Sequence, residues 1–252
     1  LTFKGDNYNP VWTADGRSVV YIGAEGNNAP GSSLLQRRAD GTGTIDTLVR
    51  SLGGRDMIEV GLTRDTAQFI LRMILTGPRR DIVLARRGDT TATPLMADST
   101  FAEVFPSLSP DGRWLAYASN ESGRFEVYVR PFPDVNARRV QLSQAGGSEP
   151  RWSHSGKELF FRNGTGALVA AVVVPAATFT LGAQAVLFEG SQFHTVGNQS
   201  ARSYDVAPGD QRFVFMRRVV PAGAAALPPD KLVQVTNWAA EVQAKLKGKA
   251  PK

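Results

Sequence analysis

The residues with the chemistry for catalysis are few. The 252-residue sequence holds two histidines, His154 and His194, and no cysteine. Disulfides, thiolate nucleophiles and cysteine-ligated metals are therefore excluded. His194 lies in a Ser191-Gln-Phe-His-Thr-Val-Gly-Asn loop with no second histidine near it in sequence; a metal or catalytic site needs several converging groups. No Gly-x-Ser-x-Gly elbow, phosphate loop or dinucleotide fingerprint occurs, and Gly41-Thr42-Gly43 and Gly164-Thr165-Gly166 read as hairpin turns. Asp15, Asp65 and Asp111 recur at one offset of a repeated segment, where a carboxylate bonds nearby backbone amides. That recurrence argues for folding rather than acid–base work. His154 occupies the position that Pro110 and Pro208 hold in related segments, so it reads as a solvent-facing turn residue.

The segments that carry these residues align without gaps. Pro10 to Tyr21 (PVWTADGRSVVY), Val60 to Leu71 (VGLTRDTAQFIL), Pro106 to Tyr117 (PSLSPDGRWLAY), Pro150 to Phe161 (PRWSHSGKELFF) and Tyr204 to Phe215 (YDVAPGDQRFVF) match position for position. Their third residues, Trp12, Leu62, Leu108, Trp152 and Val206, follow one another at 50, 46, 44 and 54 residues, the period of propeller blades. Ser109-Pro110-Asp111-Gly112 supplies what a tight turn prefers, and Asp15-Gly16 and Gly156 match it. The second copy departs with Thr66 at the turn glycine, and the fifth inverts the order as Gly209-Asp210.

After each turn come β-branched and aromatic residues: Ser18 to Tyr21, Gln68 to Leu71, Trp114 to Tyr117, Glu158 to Phe161 and Arg212 to Phe215. Further strands are predicted at Leu34 to Arg38 and Ile45 to Val49, Asp81 to Ala85 and Thr93 to Met96, and Val127 to Arg130 and Arg139 to Leu142. Four strands per repeat make one blade, so the fold class is all-β, a β-propeller of four-stranded blades with five repeats visible. A blade buries its faces only against neighbours, which places Trp12, Tyr21, Trp152 and Phe161 between blades. The fifth repeat shows strands at Tyr204 to Val206, Arg212 to Met216 and Leu232 to Val235 but no clear fourth; Leu1-Thr2-Phe3 could supply it and close a five-bladed ring. Equally, those residues belong to an upstream blade of a six-bladed or larger ring. Residues 1–235 are thus the propeller. In 236–252, Trp238, Val242 and Leu246 share one helical stripe, with Thr236 or Asn237 as N-cap, which predicts a short helix and a basic tail.

Composition sets outer limits. A sequence 42 % hydrophobic and 21 % charged belongs with folded globular chains rather than disordered ones. The longest apolar run, Ala167 to Ala177, is broken by Pro175 and falls short of the roughly 20 residues of a membrane span. The first residue is Leu1, with no initiator Met or leader, so the chain reads as an excerpt or a processed product. A formal charge of +6 favours anionic partners mildly. Arginine pairs at Arg37-Arg38, Arg79-Arg80, Arg86-Arg87, Arg138-Arg139 and Arg217-Arg218 suit a basic rim, or protection of sheet edges against association. The interleaved aromatics of a single-strand nucleic-acid binder are missing.

The Pro-x-Trp-Ser-Pro-Asp-Gly-Arg type of repeat resembles those of TolB-like, WD-like propellers, over nearly the whole chain. More narrowly, FPSLSPDGRWLAYASNESGRFEVYVRPFPD (Phe105 to Asp134), SEPRWSHSGKELFFR, SYDVAPGDQRFVF and KLVQVTNW resemble the propeller C-terminal to the kinase domain of many bacterial receptor-like serine/threonine kinases. That resemblance implies a sensor or interaction domain outside the cytoplasm. No kinase motif is present in these residues. Known propeller geometry would bring Asn7 to Asn9, Met57 to Glu59, Glu103 to Phe105, Ser148-Glu149 and Arg202-Ser203 together as loops at one mouth of a central channel. Tyr8, Asn9, Glu103, Phe105, Glu149 and Arg202 are the candidate contact residues. The leading expectation is a non-catalytic module without cofactor or metal that binds a protein or peptide, or a small molecule or glycan, and no nucleic acid. The alternatives are a hydrolase or lyase with its site at the channel mouth, and a basic-rim binder of anionic polymer or membrane surface.

Overall fold

The structure, a computed structural model, describes residues 5–24, 31–74, 80–96, 100–190, 201–217 and 231–235. Leu1 to Phe3, His194 and the helix expected in 236–252 lie outside them. Among the described residues, nineteen strands form five antiparallel meanders. Blade 1 is β1 (Asp6–Trp12), β2 (Ser18–Ala24), β3 (Ser33–Arg38) and β4 (Asp46–Val49); blade 2 is β5 (Met57–Leu62), β6 (Gln68–Ile74), β7 (Arg80–Arg86) and β8 (Thr93–Met96). Blade 3 is β9 (Glu103–Leu108), β10 (Trp114–Ser119), β11 (Glu126–Pro131) and β12 (Val140–Gln141). Blade 4 is β13 (Gly147–Trp152), β14 (Glu158–Asn163), β15 (Leu168–Val174) and β16 (Thr180–Phe188). Blade 5 shows β17 (Tyr204–Val206), β18 (Phe213–Arg217) and β19 (Lys231–Val235) among the described residues.

Each central strand is apolar on both faces, and alternation sends successive residues to opposite sides. The tenth and twelfth residues of a repeat face the preceding blade and the eleventh faces the following one. Thus Val20 meets Phe69 and Leu71, Ile70 meets Leu115 and Tyr117, Ala116 meets Leu159 and Phe161, and Phe160 meets Phe213 and Phe215. Four inter-blade cores follow in chain order, and a β-propeller results. Trp152 and Phe161 sit in the core between blades 3 and 4. Trp12 does not behave as the sequence suggests: it is 60 % exposed. The third residue of a repeat packs on the preceding blade, and no blade among the described residues precedes β1.

The turns between first and second strands are equivalent in all five blades. The amides of Gly16, Thr66, Gly112, Gly156 and Asp210 donate to the carbonyls of Thr13, Thr63, Ser109, Ser153 and Ala207 at 2.8–3.1 Å, and all five residues have positive φ. Asp15, Asp65 and Asp111 accept from the amides of Arg17, Ala67 and Arg113 and from the hydroxyls of Thr13, Thr63 and Ser109. Those hydroxyl bonds hold Asp15 and Asp65 below the usual carboxylate range. In blade 5 the carboxylate turns outward instead: Asp210 accepts from the amides of His154 and Ser155 at 2.6 and 2.9 Å, tying the turns of blades 4 and 5.

Two outcomes follow. Thr66 holds a β-branched residue at φ 53°, a conformation that costs about 1–3 kcal/mol outside glycine. Thr66→Gly is expected to stabilise by about 1 kcal/mol, read as a melting temperature higher by roughly 2–4 °C in thermal unfolding. For Asp210, burial acts to raise the pKa, and the bonds from His154 and Ser155 outweigh it, leaving the pKa lowered. Its stabilisation is therefore present above the unfolded-state value near 4 and is lost as pH falls through the folded-state value. Asp210→Asn is expected to cost about 1–2 kcal/mol at pH 7 in urea unfolding and progressively less below pH 4.

Candidate functional site

The first strands are the innermost, and the residues just before each of the first four repeats lie on them rather than on loops. Tyr8 and Asn9 are in β1, Glu103 and Phe105 in β9 and Glu149 in β13, while Arg202 lies outside a strand, two residues before the start of β17. The pairing of first and second strands slips at this level in blades 1 to 4. Asn9, Phe105 and Glu149 there have φ of 49°, 58° and 55°, and each is followed by proline. A bulge of this kind bends the strand and re-aims a side chain. No sequence signal except the recurring Pro10, Pro106 and Pro150 marks it.

These residues form a buried network instead of a solvated ring. Glu103, Phe105 and Glu149 are 6 %, 2 % and 4 % exposed. Glu59 of blade 2, which sequence reasoning did not single out, is its centre. Its carboxylate pairs with Arg72 at 3.2 Å within the blade, with Arg202 across the axis, and accepts from the Phe105 amide at 3.2 Å. Arg202 also donates to the Pro106 carbonyl at 2.7 Å, so one side chain of blade 5 joins blades 2 and 3. The guanidiniums of Arg72 and Arg202 lie 5.2 and 5.7 Å from the Phe105 ring centre, within cation–π range. Burial pushes the Arg202 pKa down while Glu59 opposes the shift.

A second cluster links blades 4 and 5. Glu149 accepts from the amide and hydroxyl of Ser203 at 2.6 and 2.7 Å, and its own carbonyl accepts from the Tyr204 hydroxyl at 2.8 Å. Arg162 donates to the Ser203 hydroxyl at 3.1 Å; burial lowers its pKa, and Glu149 counters. On blade 1, Tyr8 donates to the Met57 carbonyl at 3.2 Å and Asn9 to the Ile58 carbonyl.

Beside the network is a cavity of about 220 Å³ bordered by blades 1, 2, 4 and 5. Glu59 and Arg202 form its buried wall. Arg151 and Asp205, 3.1 Å apart and with side chains 28 % and 63 % exposed, form its open rim. The arrangement can receive a polar group but holds no cluster of His, Cys, Asp or Glu suited to a metal among the described residues. His154 is a half-exposed turn residue bonded to Asp210. Several of the paired arginines are already neutralised locally: Arg38 by Asp40, Arg87 by Asp46 and Arg139 by Glu121. No helix of the described residues is long and apolar enough to cross a membrane.

Four-stranded blades packed face to face about a charged axis define a β-propeller, and its fold is like that of TolB-like propellers. The chain is similar to TolB from Acinetobacter baumannii, with 16 % identity and a TM-score of 0.65 over 94 % of this chain and 53 % of that one. It is similar also to a putative TolB from Agrobacterium tumefaciens, at 15 % identity and TM-score 0.60 over 93 % and 78 % of the two chains, and to an oligogalacturonate lyase in complex with manganese, at 12 % and 0.58 over 94 % and 67 %. The chain thus spans about half the length of the first of these. No protein-family description and no curated protein sequence matches it. At such identities the likeness is one of fold.

Removing Glu59 would leave Arg72 and Arg202 buried together. Glu59→Leu is expected to destabilise by about 3–5 kcal/mol, the range for an orphaned buried partner, whereas Asp205→Leu at the exposed rim should cost no more than about 1 kcal/mol. Urea unfolding of both variants checks the contrast.

Proposed function

We propose that the chain is a non-catalytic binding propeller, a sensor or protein-interaction domain, that receives a protein or peptide at the axial cavity. The observation that supports this is how the axial carboxylates are used. Glu59 and Glu149 are buried and bonded to Arg72, Arg202, the Phe105 amide and Ser203. General acid–base catalysis needs a positioned group within hydrogen-bond reach of the reacting proton, and these are occupied in holding blades together. Recognition needs a rigid, partly open polar rim, which Arg151 and Asp205 provide beside the apolar Val11 and Val214. The resemblance of Phe105 to Asp134 and of the later repeats to the propellers of bacterial receptor-like serine/threonine kinases supports reading the domain as the extracytoplasmic, sensing part of such a receptor.

Selection of a random peptide library on the intact chain, followed by affinity measurement on Arg151→Ala, tests the reading. Selected peptides are expected to lose about tenfold or more on the variant, equivalent to one good polar contact. Turnover of a chromogenic peptide or an oligouronate above the spontaneous rate, abolished by Arg151→Ala, would overturn it in favour of a hydrolase or lyase.

A further inference from the structure

Away from the axial cavity, where blades 3 and 4 meet at the end carrying the turns, two cavities of about 320 and 400 Å³ lie side by side. They share one wall, made by Trp114 and Phe179. The Trp114 and Phe179 rings meet at 5.5 Å and 63°, and Trp152 closes on Phe179 at 6.2 Å and 89°. Phe179 belongs to the connection between β15 and β16, which is held in place by Arg113: its guanidinium donates to the Ala177 carbonyl at 3.0 Å and lies 5.4 Å from the Trp114 ring. The shared wall is therefore aromatic and braced; the first cavity is mostly apolar, and the second adds Trp152, Val173 and Val174 to polar groups such as Ser109 and Ser155.

The rim has the opposite character. Arg64 from the blade 2 turn, Arg113, Arg138 and Lys157 from the blade 4 turn border the two cavities, against a single carboxylate, Asp111. That carboxylate is committed to the Ser109 hydroxyl and the Arg113 amide. Arg64, Arg138 and Lys157 are exposed and make no ion pair among the described residues. Four cations bordering the two cavities put positive potential where apolar surface is also open.

We propose that this paired groove docks an acidic peptide segment that inserts bulky apolar side chains into the two recesses and sets its carboxylates against Arg64, Arg113, Arg138 and Lys157. The chemistry selects the occupant. An anionic polymer without apolar side chains would satisfy the rim and leave the recesses empty. A neutral apolar ligand would leave the cations unanswered. Adjacent recesses sharing an aromatic wall suit side chains projecting from one backbone, as in peptide recognition by grooves with pockets for successive anchors.

The test is fluorescence anisotropy with a rhodamine-labelled Glu-Asp-Phe-Glu-Asp-Leu-Glu peptide and the intact chain. Replacing the acidic residues of the peptide by lysine, or its Phe and Leu by alanine, is expected to weaken binding about tenfold or more, as is the double variant Arg64→Glu/Lys157→Glu. Arg17→Glu, an exposed turn cation on blade 1, should leave affinity unchanged, and both variants should melt with the parent. Equal binding by the parent and the double variant would overturn the assignment. So would absence of binding at millimolar peptide, or a heparin oligosaccharide that competes with the peptide and binds as tightly without any apolar group. Arg151→Ala should not alter this interaction, which separates it from binding at the axis.

Discussion

A four-stranded sheet whose central strand is apolar on both faces cannot rest in water on either side, and this constraint organises the molecule. Val20 and Tyr21, Ile70 and Leu71, Ala116 and Tyr117, and Phe160 and Phe161 alternate sides along single strands, and all are buried. Each of the last three pairs commits its blade to two neighbours at once. Burying a large apolar side chain contributes about 1.5–3 kcal/mol, and edge-on contacts such as Phe160 on Phe213, at 4.9 Å and 89°, fix the angle between blades. The same rule accounts for the exception. Trp12 belongs to a face that turns toward a preceding blade, and among the described residues none covers it.

Radial stacking creates a second problem at the axis, where first strands from all blades converge and backbone groups crowd together. The protein meets it with bulges and charges. Left-handed residues at Asn9, Phe105 and Glu149 cost of order 1–3 kcal/mol each. They are tolerated because the side chains they redirect, or the amide they present, enter bonds that neighbouring blades complete. Buried pairs such as Glu59 with Arg72 and Arg202 contribute little net stability compared with apolar packing, but they punish any arrangement that separates them. The axis therefore specifies which blades lie opposite each other more than it holds them together.

The blades were legible because their signals are local. The turn motif, the alternation after it and the spacing of Trp12, Leu62, Leu108, Trp152 and Val206 need only neighbouring residues, and even Thr66 and Asp210 occupy the left-handed turn position of Gly112. Strands β15 and β16 were harder to see, because Ala167 to Ala177 is an apolar run without alternation and the following stretch has no turn signature. The axial site was legible only in part. Tyr8, Asn9, Glu103, Phe105 and Glu149 are carried by β-strands, with Arg202 just outside one, and nothing in the sequence says that strand rather than loop holds the first five. Nothing reveals either that Arg202 reaches Glu59 143 residues away. A carboxylate beside Val60 reads as surface until the bulge turns it inward.

The two ends of the propeller consequently offer different surfaces. At the bulged level, charge is spent inside the axis, and among the described residues that line the cavity Arg151 and Asp205 form the open rim. At the turn end, the hairpins brace one another: Asp210 binds the blade 4 turn, and a methyl group at Gly156 would lie 3.6 Å from Pro110 of blade 3. Pro110 and Lys157 are thereby presented on a braced frame, while Arg64 is carried by the blade 2 turn closed by the Thr66 amide on the Thr63 carbonyl. A ligand held there loses less entropy to ordering its receptor, so modest contact area is enough for useful affinity. Binding could then influence the rest of the molecule only by shifting whole blades against one another across their apolar faces, because the segments that touch the ligand have little freedom of their own.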